Sequence, residues 1–337
     1  MRPVRFAAIG LAHNHIFGQT RCLLDAGAEL VGFHGAGDEF ARDYAEAFPR
    51  AEPVSEAERL LDDPSIELIV SAAVSSERTP IAVEAMRRGK DVMLDKPGAV
   101  SLEQLDLLRR TQADTGRILS ILYSEHFENR ATVKAGELVA AGAIGRVVAT
   151  AGFGPHRLRK ASRPDWFFER ARYGGILADI ASHQCEQFLF FTGAETASVV
   201  AATVANRANP DTPELQDTGD VILSGGGTTG FVHVDWFTPD GLPTWGDGRL
   251  FVTGTHGSIE LRKYVDPAGR PGGDHLFLTD RDGVRHIDCS DVALPYGRQL
   301  LADIRARTET AMPQARCFLA MELALTAQKL AEDASDA

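Results

Sequence analysis

The first 122 residues alternate short apolar runs with helical patterns, and this alternation restricts the fold more than any other feature of the chain. Apolar runs occur at residues 4–9, 29–33, 66–74 and 91–94, and a last one starts at residue 118. A strand buried in a parallel sheet reads as such a continuous apolar run. Strands that alternate with helices form doubly wound parallel sheets with right-handed crossovers. Residues 1–122 are therefore predicted to form an α/β domain of this type. After the third strand, a helix is predicted to open near Pro80, because proline is favoured in the first helical turn.

The pattern changes after residue 122 and predicts a second domain over residues 123–337. Helices are predicted at residues 133–141, after Gly174-Gly175, and at residues 318–330. Strand-like runs dominate the remainder, at residues 146–153, 199–205, 220–223, 230–237, 249–253 and 258–263. Gly225-Gly226-Gly227, between two of these runs, predicts a hairpin turn. The second domain is expected to be α+β, with an open, largely antiparallel sheet, and 337 residues are enough for two cores.

The charge balance argues against two classes of partner. With 35 basic and 47 acidic residues, the formal net charge is −12. An acidic chain of this kind is a poor candidate for binding nucleic acid or an anionic membrane. No apolar run approaches the roughly 20 residues that span a bilayer. Because the N-terminus enters a strand-like run at once, no signal peptide is expected, and the predicted location is the cytoplasm.

The cysteines predict neither disulfides nor a zinc knuckle. Cys22, Cys185, Cys289 and Cys317 lie far apart in the chain and form no Cys-x-x-Cys pair. Reduced, mostly buried thiols are the expected state of such cysteines.

Lys96 is the first candidate for chemistry. It follows the apolar run at residues 91–94 in the sequence Asp95-Lys96-Pro97. Pro97 disfavours helix at the residue before it, so Lys96 is expected to be extended at the carboxyl end of a strand. Open α/β sheets bind their ligands at this edge, where a lysine can be desolvated and used for proton chemistry. A surface Lys-Pro turn is the alternative interpretation.

The turn after the first strand is where a dinucleotide diphosphate binds in a doubly wound sheet. The expected G-x-G-x-x-G sequence is altered here, with Gly10 in the first position, Ala12 in the second and His15 in the third. Ala12 is small enough for close backbone approach, whereas His15 is a large change. We predict a cofactor loop made of Gly10, Ala12, His13, Asn14 and His15.

His13-Asn14-His15 also permits a metal interpretation, because His-x-His after a first strand opens some hydrolase metal sites. His126, His156, His183 and Asp179 are the residues that could complete such a site. The chain lacks the eight repeated βα units of a barrel, so no metal is predicted, and a metal-dependent hydrolase using His13 and His15 remains an alternative.

The second strand lacks the acid that usually binds the ribose hydroxyls of NAD. That position falls at His34 or Gly35, and Asp38 follows a little later. No arginine appears before Arg42, so a pocket for the 2′-phosphate of NADP is not evident either. NAD is the predicted cofactor, and NADP is not excluded.

Asp179 and His183 form the second candidate for chemistry. They lie four residues apart in the helix predicted after Gly174-Gly175, so they share one helix face. An acid and a histidine that project together can act as a base and the group that tunes it. A helix N-terminus with a favourable aspartate and a buried histidine is the alternative.

Together these motifs resemble the Gfo/Idh/MocA family of sugar and polyol oxidoreductases. Asp95-Lys96-Pro97 is similar to the family's Glu-Lys-Pro motif, and residues 175–183 resemble its Gly-x-x-x-Asp-x-x-x-His helix. The order of the motifs agrees over nearly the whole chain. The resemblance implies a dinucleotide-binding Rossmann-like domain over residues 1–122 and a substrate-binding, oligomerisation domain over residues 123–337.

The resemblance also implies roles for individual residues. Lys96 would hydrogen-bond the reacting hydroxyl and the nicotinamide end of the cofactor site. His183 would take the hydroxyl proton, and Asp179 would orient the substrate or the histidine. Asp95, Ser75 and Ser76 would join the cofactor site, the serines in a loop after the third strand. The implied activity is NAD(P)-dependent dehydrogenation of a secondary hydroxyl on a sugar, sugar derivative or cyclitol.

Substrate contacts are predicted from position along the chain. The candidates are Tyr123, His126, Arg130, His156 and Trp166. An indole can stack on a sugar face while polar groups bind its hydroxyls. The resemblance further implies a homodimer or homotetramer formed through the second sheet. A ligand-sensing member of the same fold without catalysis is the remaining alternative.

Overall fold

The computed structural model of the chain describes residues 2–35 and 37–335, so Met1 and Ala337, the ends of the two predicted domains, lie outside the described residues. The strands are β1 (Arg5–Ile9), β2 (Glu29–His34), β3 (Glu52–Pro53), β4 (Leu68–Ser71), β5 (Asp91–Asp95), β6 (Leu119–Leu122), β7 (Val147–Pro155), β8 (Ala197–Ala205), β9 (Thr218–Gly225), β10 (Thr228–Asp235), β11 (Arg249–Gly254), β12 (Gly257–Arg262), β13 (His275–Asp280) and β14 (Gly283–Ile287). The helices are α1 (His15–Asp25), α2 (Ala41–Ala47), α3 (Ala57–Leu61), α4 (Ser75–Arg87), α5 (Leu102–Thr115), α6 (Ser124–Phe127), α7 (Arg130–Ala140), α8 (Arg170–Tyr173), α9 (Ser182–Thr192), α10 (Tyr296–Ala306) and α11 (Gln314–Ser335).

The chain divides into two compact units. The first comprises Met1–Leu122, Pro164–Gly174 and Pro295–Phe318, and the second comprises Tyr123–Arg163, Gly175–Leu294 and Leu319–Ala337. Two later segments of the chain therefore return to the first unit. Local sequence patterns could not predict this return, because it depends on contacts between distant residues.

The first unit contains a parallel sheet of six strands in the order β3-β2-β1-β4-β5-β6. This is the order of dinucleotide-binding folds, and it confirms the predicted fold class of this half. The central strands are mainly apolar, and all residues of β4 and β5 are buried. The order in which the strands are added reverses between the parallel neighbours β1 and β4, so the carboxyl ends of these two strands mark the usual ligand position.

Helix α4 begins at Ser75, earlier than the sequence pattern predicts. Pro80 was expected in the first turn, but it lies inside the helix. Because proline has no backbone N–H, the carbonyl of Ser76 loses its usual helical donor. The side-chain amide of Gln104 donates to this carbonyl at 3.0 Å instead. A side chain of α5 thus replaces the hydrogen bond that Pro80 cannot make.

The second unit contains an open sheet of eight strands in the order β14-β13-β12-β11-β7-β10-β9-β8. Only the central β7 and β10 pair in parallel, and the other neighbours are antiparallel, as predicted for this half. The predicted hairpin joins β9 to β10, with φ of 59° at Gly226 and 72° at Gly227. Two strands of this unit, β13 and β14, were not predicted, because β13 has an apolar run of only three residues after a glycine-rich stretch and β14 has only Val284 and Ile287 as large apolar residues.

The core of the second unit lies between one face of this sheet and α7. It contains Ala131 and Ala135 from the helix and Val252, Leu261 and Leu276 from three neighbouring strands. All four cysteines are free thiols, and all but Cys22 are buried, as expected. Among the described residues, none of the helices has both the length and the apolar character needed to cross a bilayer.

Candidate active site

The loop after β1 packs tightly against the loop after β4, at the point where the strand order of the first sheet reverses. Gly10 has φ of +82°, and a Cβ at this position would lie 2.4 Å from Cβ of Ala73. The backbone N–H of His13 donates to the carbonyl of Ala72 at 2.9 Å. Gly10 is therefore required by both its conformation and its surroundings.

The same loop leads directly into α1. Asn14 is the N-cap residue, and its side chain makes no capping hydrogen bond among the described residues. His15 is the first helical residue, and its side chain is 37% exposed. The loop therefore offers backbone groups at a helix N-terminus with Gly10 and Ala12 as its small residues, which suits an anionic ligand.

Asp95 connects this loop to the Lys96 turn. Its carboxylate is buried at the end of β5 and accepts a hydrogen bond from the backbone N–H of Lys96 at 2.8 Å. Nδ1 of His15 lies 2.9 Å from the same carboxylate, and Nδ1 of His13 lies 3.5 Å from it. Burial acts to raise the pKa of Asp95, but His15 and Arg78 hold it well below the usual value. Asp95 is therefore an anion that joins the two motifs.

His13 is held in its neutral form. Burial lowers its pKa well below the usual value, and the nearby His15 lowers it further. The ring of His13 packs edge-on against that of His15, with 4.1 Å between the centroids.

Arg78 is the residue of this site that sequence patterns missed. Its side chain is fully buried beneath the turn, and its guanidinium lies 3.0 Å from the Asp95 carboxylate. It donates to the carbonyls of Ala73, Lys96 and Pro97. The planar fork of donors in the guanidinium lets Arg78 bind the Asp95 carboxylate and three carbonyls together. Arg78 therefore holds the Lys96 turn against the loop after β4.

Lys96 itself is 5% exposed, and the peptide bond between Lys96 and Pro97 is cis. Ser75 and Ser76 do not lie in a loop as expected. They form the first turn of α4, and Ser75 is buried.

His13, His15 and Asp95 also place potential metal-binding atoms within 4.8 Å of one another, the one such group among the described residues. The cations Arg78 and Lys96 act on the same cluster, and both lower the pKa of His13. The positive charges of Arg78 and Lys96 therefore oppose the binding of a metal cation at this group. The histidines that were considered for a larger site, His126, His156 and His183, belong to the second unit.

Asp38 is the acid nearest the end of β2. Its carboxylate accepts a hydrogen bond from the backbone N–H of Leu11 at 2.5 Å. A Cβ on Gly35 would lie 2.8 Å from the Asp38 carboxylate. Although it comes four residues after the last strand residue, Asp38 therefore reaches back to the cofactor loop.

In the second unit, Asp179 and His183 lie across a change of helix type. Leu177–Ala181 form a π-helical turn, and α9 follows from Ser182. Both side chains are buried, with exposures of 8% for Asp179 and 2% for His183. Single π turns occur frequently at functional sites, because they redirect side chains within a helix.

Tyr123 and Glu125 lie near His183 in the second unit. The Tyr123 ring contacts the His183 ring edge-on, with centroids 5.9 Å apart. Glu125 on α6 forms a buried ion pair of 2.7 Å with Lys263, which follows β12. The ionised state of Glu125 is favoured by the charges of Lys263, His183 and His156. The sequence pattern predicted a role for Tyr123, but it gave no indication of the Glu125–Lys263 pair.

His156 and Trp166, two further predicted substrate residues, have aromatic neighbours within their own units. His156 contacts the rings of Trp236 and Trp245, with centroids 5.5 and 4.6 Å apart, which is an aromatic group that the sequence did not associate with it. Trp166 belongs to the first unit, where it is buried against Phe167.

His126 and Arg130 have partners that indicate structural roles. Nδ1 of His126 lies 2.9 Å from the buried carboxylate of Glu186. Arg130 donates to the carbonyl of Val292 and lines a cavity of about 540 Å³ with Arg270, His275 and Cys289. A role in substrate binding remains a prediction for both residues.

Comparisons with known proteins identify the family. Residues 4–123 match the model of an oxidoreductase family with an NAD-binding Rossmann fold, and residues 132–260 match that of the GFO/IDH/MocA C-terminal domain. A crystal structure of a candidate oxidoreductase from Erwinia carotovora atroseptica SCRI1043 is 45% identical, with a TM-score of 0.94. That likeness covers 97% of this chain and 98% of the other.

Two further relatives carry functional names. The scyllo-inositol 2-dehydrogenase (NADP(+)) IolW of Bacillus subtilis (strain 168) is 29% identical over 166 residues, 49% of this chain and 45% of that protein. The chain thus spans less than half the length of the first curated relatives it matches. Levoglucosan dehydrogenase, solved with NADH and levoglucosan, has a TM-score of 0.80 at 18% identity, over 99% of this chain and 98% of that one, and this likeness shows the fold alone. The chain belongs to the Gfo/Idh/MocA family of oxidoreductases, and residues 4–123 match its NAD-binding Rossmann fold.

Proposed function

We propose that the protein is an NAD(P)-dependent dehydrogenase that oxidises a secondary hydroxyl of a sugar, sugar derivative or cyclitol. The observation that carries this proposal is the Lys96 turn, which Asp95 connects to the cofactor loop and Arg78 holds from below. The curated relative that acts on scyllo-inositol with NADP supports the substrate class.

The residues of the first loop fit a dinucleotide. Gly10 and Ala12 permit close backbone approach, and His13, Asn14 and His15 lead into the N-terminus of α1, where a diphosphate is favoured. Asp38 would accept hydrogen bonds from the adenosine ribose. Ser75 and Ser76, at the N-terminus of α4, would lie on the β4 side of the point where the strand order reverses. When bound, the nicotinamide supplies the hydride acceptor.

The protein's own task is to position the hydroxyl and move one proton. In the proposed mechanism, Lys96 and His183 meet the same substrate hydroxyl. The Lys96 ammonium would stabilise the negative charge that develops on the oxygen, as oxyanion donors do elsewhere. His183 would accept the hydroxyl proton as the general base. Asp179 would orient the substrate or His183, and the fixed geometry of these groups would lower the entropic cost of reaction.

Substrate binding is proposed to use the aromatic group of the second unit. His156 and Trp245 present a ring surface to which the apolar face of a sugar could stack, and Tyr123 adjoins His183. We also propose that residues 1–122 bind the cofactor, while residues 123–337 bind the substrate and form the oligomer through the second sheet.

The proposal is tested by following NADH and NADPH formation by the purified full chain. A panel of aldoses, anhydrosugars and cyclitols would be supplied with each oxidised cofactor. Reduction that depends on one of these compounds supports the dehydrogenase. Binding of a sugar without cofactor reduction, measured by calorimetry, would favour a ligand-sensing protein and contradict the proposal.

Cofactor choice gives a second prediction. We expect the Asp38→Asn variant to lose roughly 10–100-fold in kcat/KM for NAD, because a charged hydrogen-bond acceptor contributes about 1.5–3 kcal/mol. Its kcat/KM for NADP should fall less or rise, because the negative charge that repels a 2′-phosphate is gone. Asn retains an oxygen that can accept from Leu11. Asp43→Asn, on the exposed surface of α2, is the matched control, and equal losses with both cofactors would reject this role.

A further inference from the structure

Glu125 is a carboxylate with no access to solvent. It is 0% exposed, its partner Lys263 is 2% exposed, and their charged atoms lie 2.7 Å apart. The pair is fixed from several sides. Thr132 donates to the backbone carbonyl of Glu125 at 3.0 Å, and Asn129 donates to that of Lys263 at 3.3 Å.

Two glutamines connect this pair to the helix that carries His183. The Gln184 side-chain amide donates to the Glu125 carboxylate at 3.1 Å. Lys263 donates to the side-chain oxygen of Gln187 at 2.7 Å, and the amide of Gln187 donates to the backbone carbonyl of His183 at 3.0 Å. Glu125 and Lys263 therefore bind the helical turn that begins at His183, Glu125 through Gln184 and Lys263 through Gln187.

The second carboxylate oxygen of Glu125 has a charge that no hydrogen bond from a described residue offsets. Oε1 is buried and makes no hydrogen bond to any described residue. Burial acts to raise the pKa of Glu125, but Lys263, His183 and His156 lower it to about 2. Glu125 is thus an anion at neutral pH, and its charge and that of His183 interact.

We propose that Glu125 and Lys263 are positioning residues that set how readily His183 takes up a proton, with the carboxylate outweighing the ammonium. This inference rests on the proposed role of His183 as the general base. Because Glu125 is closed to solvent, it acts through His183 and does not bind the substrate. A negative charge stabilises the imidazolium, and a positive charge opposes it.

Other titratable groups of the second unit lie on or next to the elements that contact α9, and the test leaves these residues in place. They are Asp179 on the π turn, Tyr123 before α6, His156 after β7, and the His126–Glu186 pair. Tyr264 follows Lys263 and interacts with the Glu125 charge, which helps raise the tyrosine pKa. The variants at positions 125 and 263 substitute none of these residues.

The test is the pH titration of the His183 imidazole by NMR in the full chain, with its signal assigned by its loss in His183→Gln. We expect Glu125→Gln to lower the pKa of His183 by about 1 unit and Lys263→Met to raise it by a smaller amount. The double variant should lie between Glu125→Gln and the wild-type chain. Exposed Glu137, on α7, supplies the control Glu137→Gln, which should cause no shift.

A role limited to packing predicts a different result. In that case both single variants would lose stability without moving the His183 pKa in opposite directions, and the inference would be overturned. A single variant leaves one buried charge unpaired and can fail to fold. The double variant removes both charges, so its His183 pKa still tests the inference. A His183 pKa equal to that of the wild-type chain in the double variant overturns the inference.

Activity gives an independent measurement. The acid limb of the kcat/KM profile should move to lower pH in Glu125→Gln and to higher pH in Lys263→Met. If the NMR shifts occur but no sugar supports turnover, the coupling stands and the dehydrogenase proposal fails. If turnover occurs and His183 does not shift, the dehydrogenase stands and the coupling fails.

Discussion

We expect Lys96→Ala and His183→Ala each to lower kcat by about 10²–10⁴-fold, because each would remove a group that handles the reacting proton or its charge. Without the lysine, the oxygen loses the cation that offsets its developing charge. Without the histidine, no side chain of the second unit accepts the proton in the proposed mechanism. The measurement is steady-state turnover with the best substrate of the panel, together with the Kd for NADH.

Two controls separate a catalytic loss from a general one. Lys134→Ala replaces a lysine on the surface of α7, whose partner is Glu137, and should retain wild-type kcat. The Kd for NADH should change little in His183→Ala, since the histidine is proposed to act on the substrate. A kcat near the wild-type value in either Lys96→Ala or His183→Ala would reject the role assigned to that residue.

Arg78→Met should have the largest effect on stability. The change removes a buried guanidinium that pairs with Asp95 and donates to three carbonyls. Breaking a buried ion pair by removing one partner costs about 3–5 kcal/mol, because the remaining charge is left uncompensated. The free energy of unfolding from urea titration measures this loss.

Arg78→Lys refines the same test. Lysine keeps the positive charge but lacks the planar fork, so it cannot reach the Asp95 carboxylate and all three carbonyls together. We expect part of the stability to return while kcat stays low, since the Lys96 turn would no longer be held in place. Arg87→Met, at the exposed end of the same helix, is the matched control. Arg78→Met with the stability of this control would show that Arg78 does not support the turn.

The fold was largely predictable because strand burial leaves a local pattern. Continuous apolar runs such as residues 66–74 identified the parallel strands, and Gly225-Gly226-Gly227 identified a hairpin. The start of α4 was predicted wrongly, because the side chain of Gln104 compensates for Pro80 from another helix. A compensating contact of this kind leaves no trace in the local sequence.

The candidate site was predictable only in part. Lys96, Asp179 and His183 lie in short motifs with fixed spacing, so a linear pattern was enough to select them. Arg78, by contrast, lies within a helix whose sequence does not distinguish it from other surface arginines. Only its burial in the structure indicates its role. Glu125 and Lys263 are 138 residues apart, and nothing near either residue indicates the other. Buried charges that act through distant partners require the three-dimensional structure.

The most direct test of the proposed function is a crystal structure of the full chain with NAD and an unreactive analogue of its best substrate. We expect Nζ of Lys96 and a ring nitrogen of His183 to lie within about 3.2 Å of the same hydroxyl oxygen, beside the nicotinamide ring. We also expect the diphosphate to contact the loop from Gly10 to His15. Lysine and histidine side chains that face different cavities, or a first loop that excludes the diphosphate, would contradict the dehydrogenase mechanism.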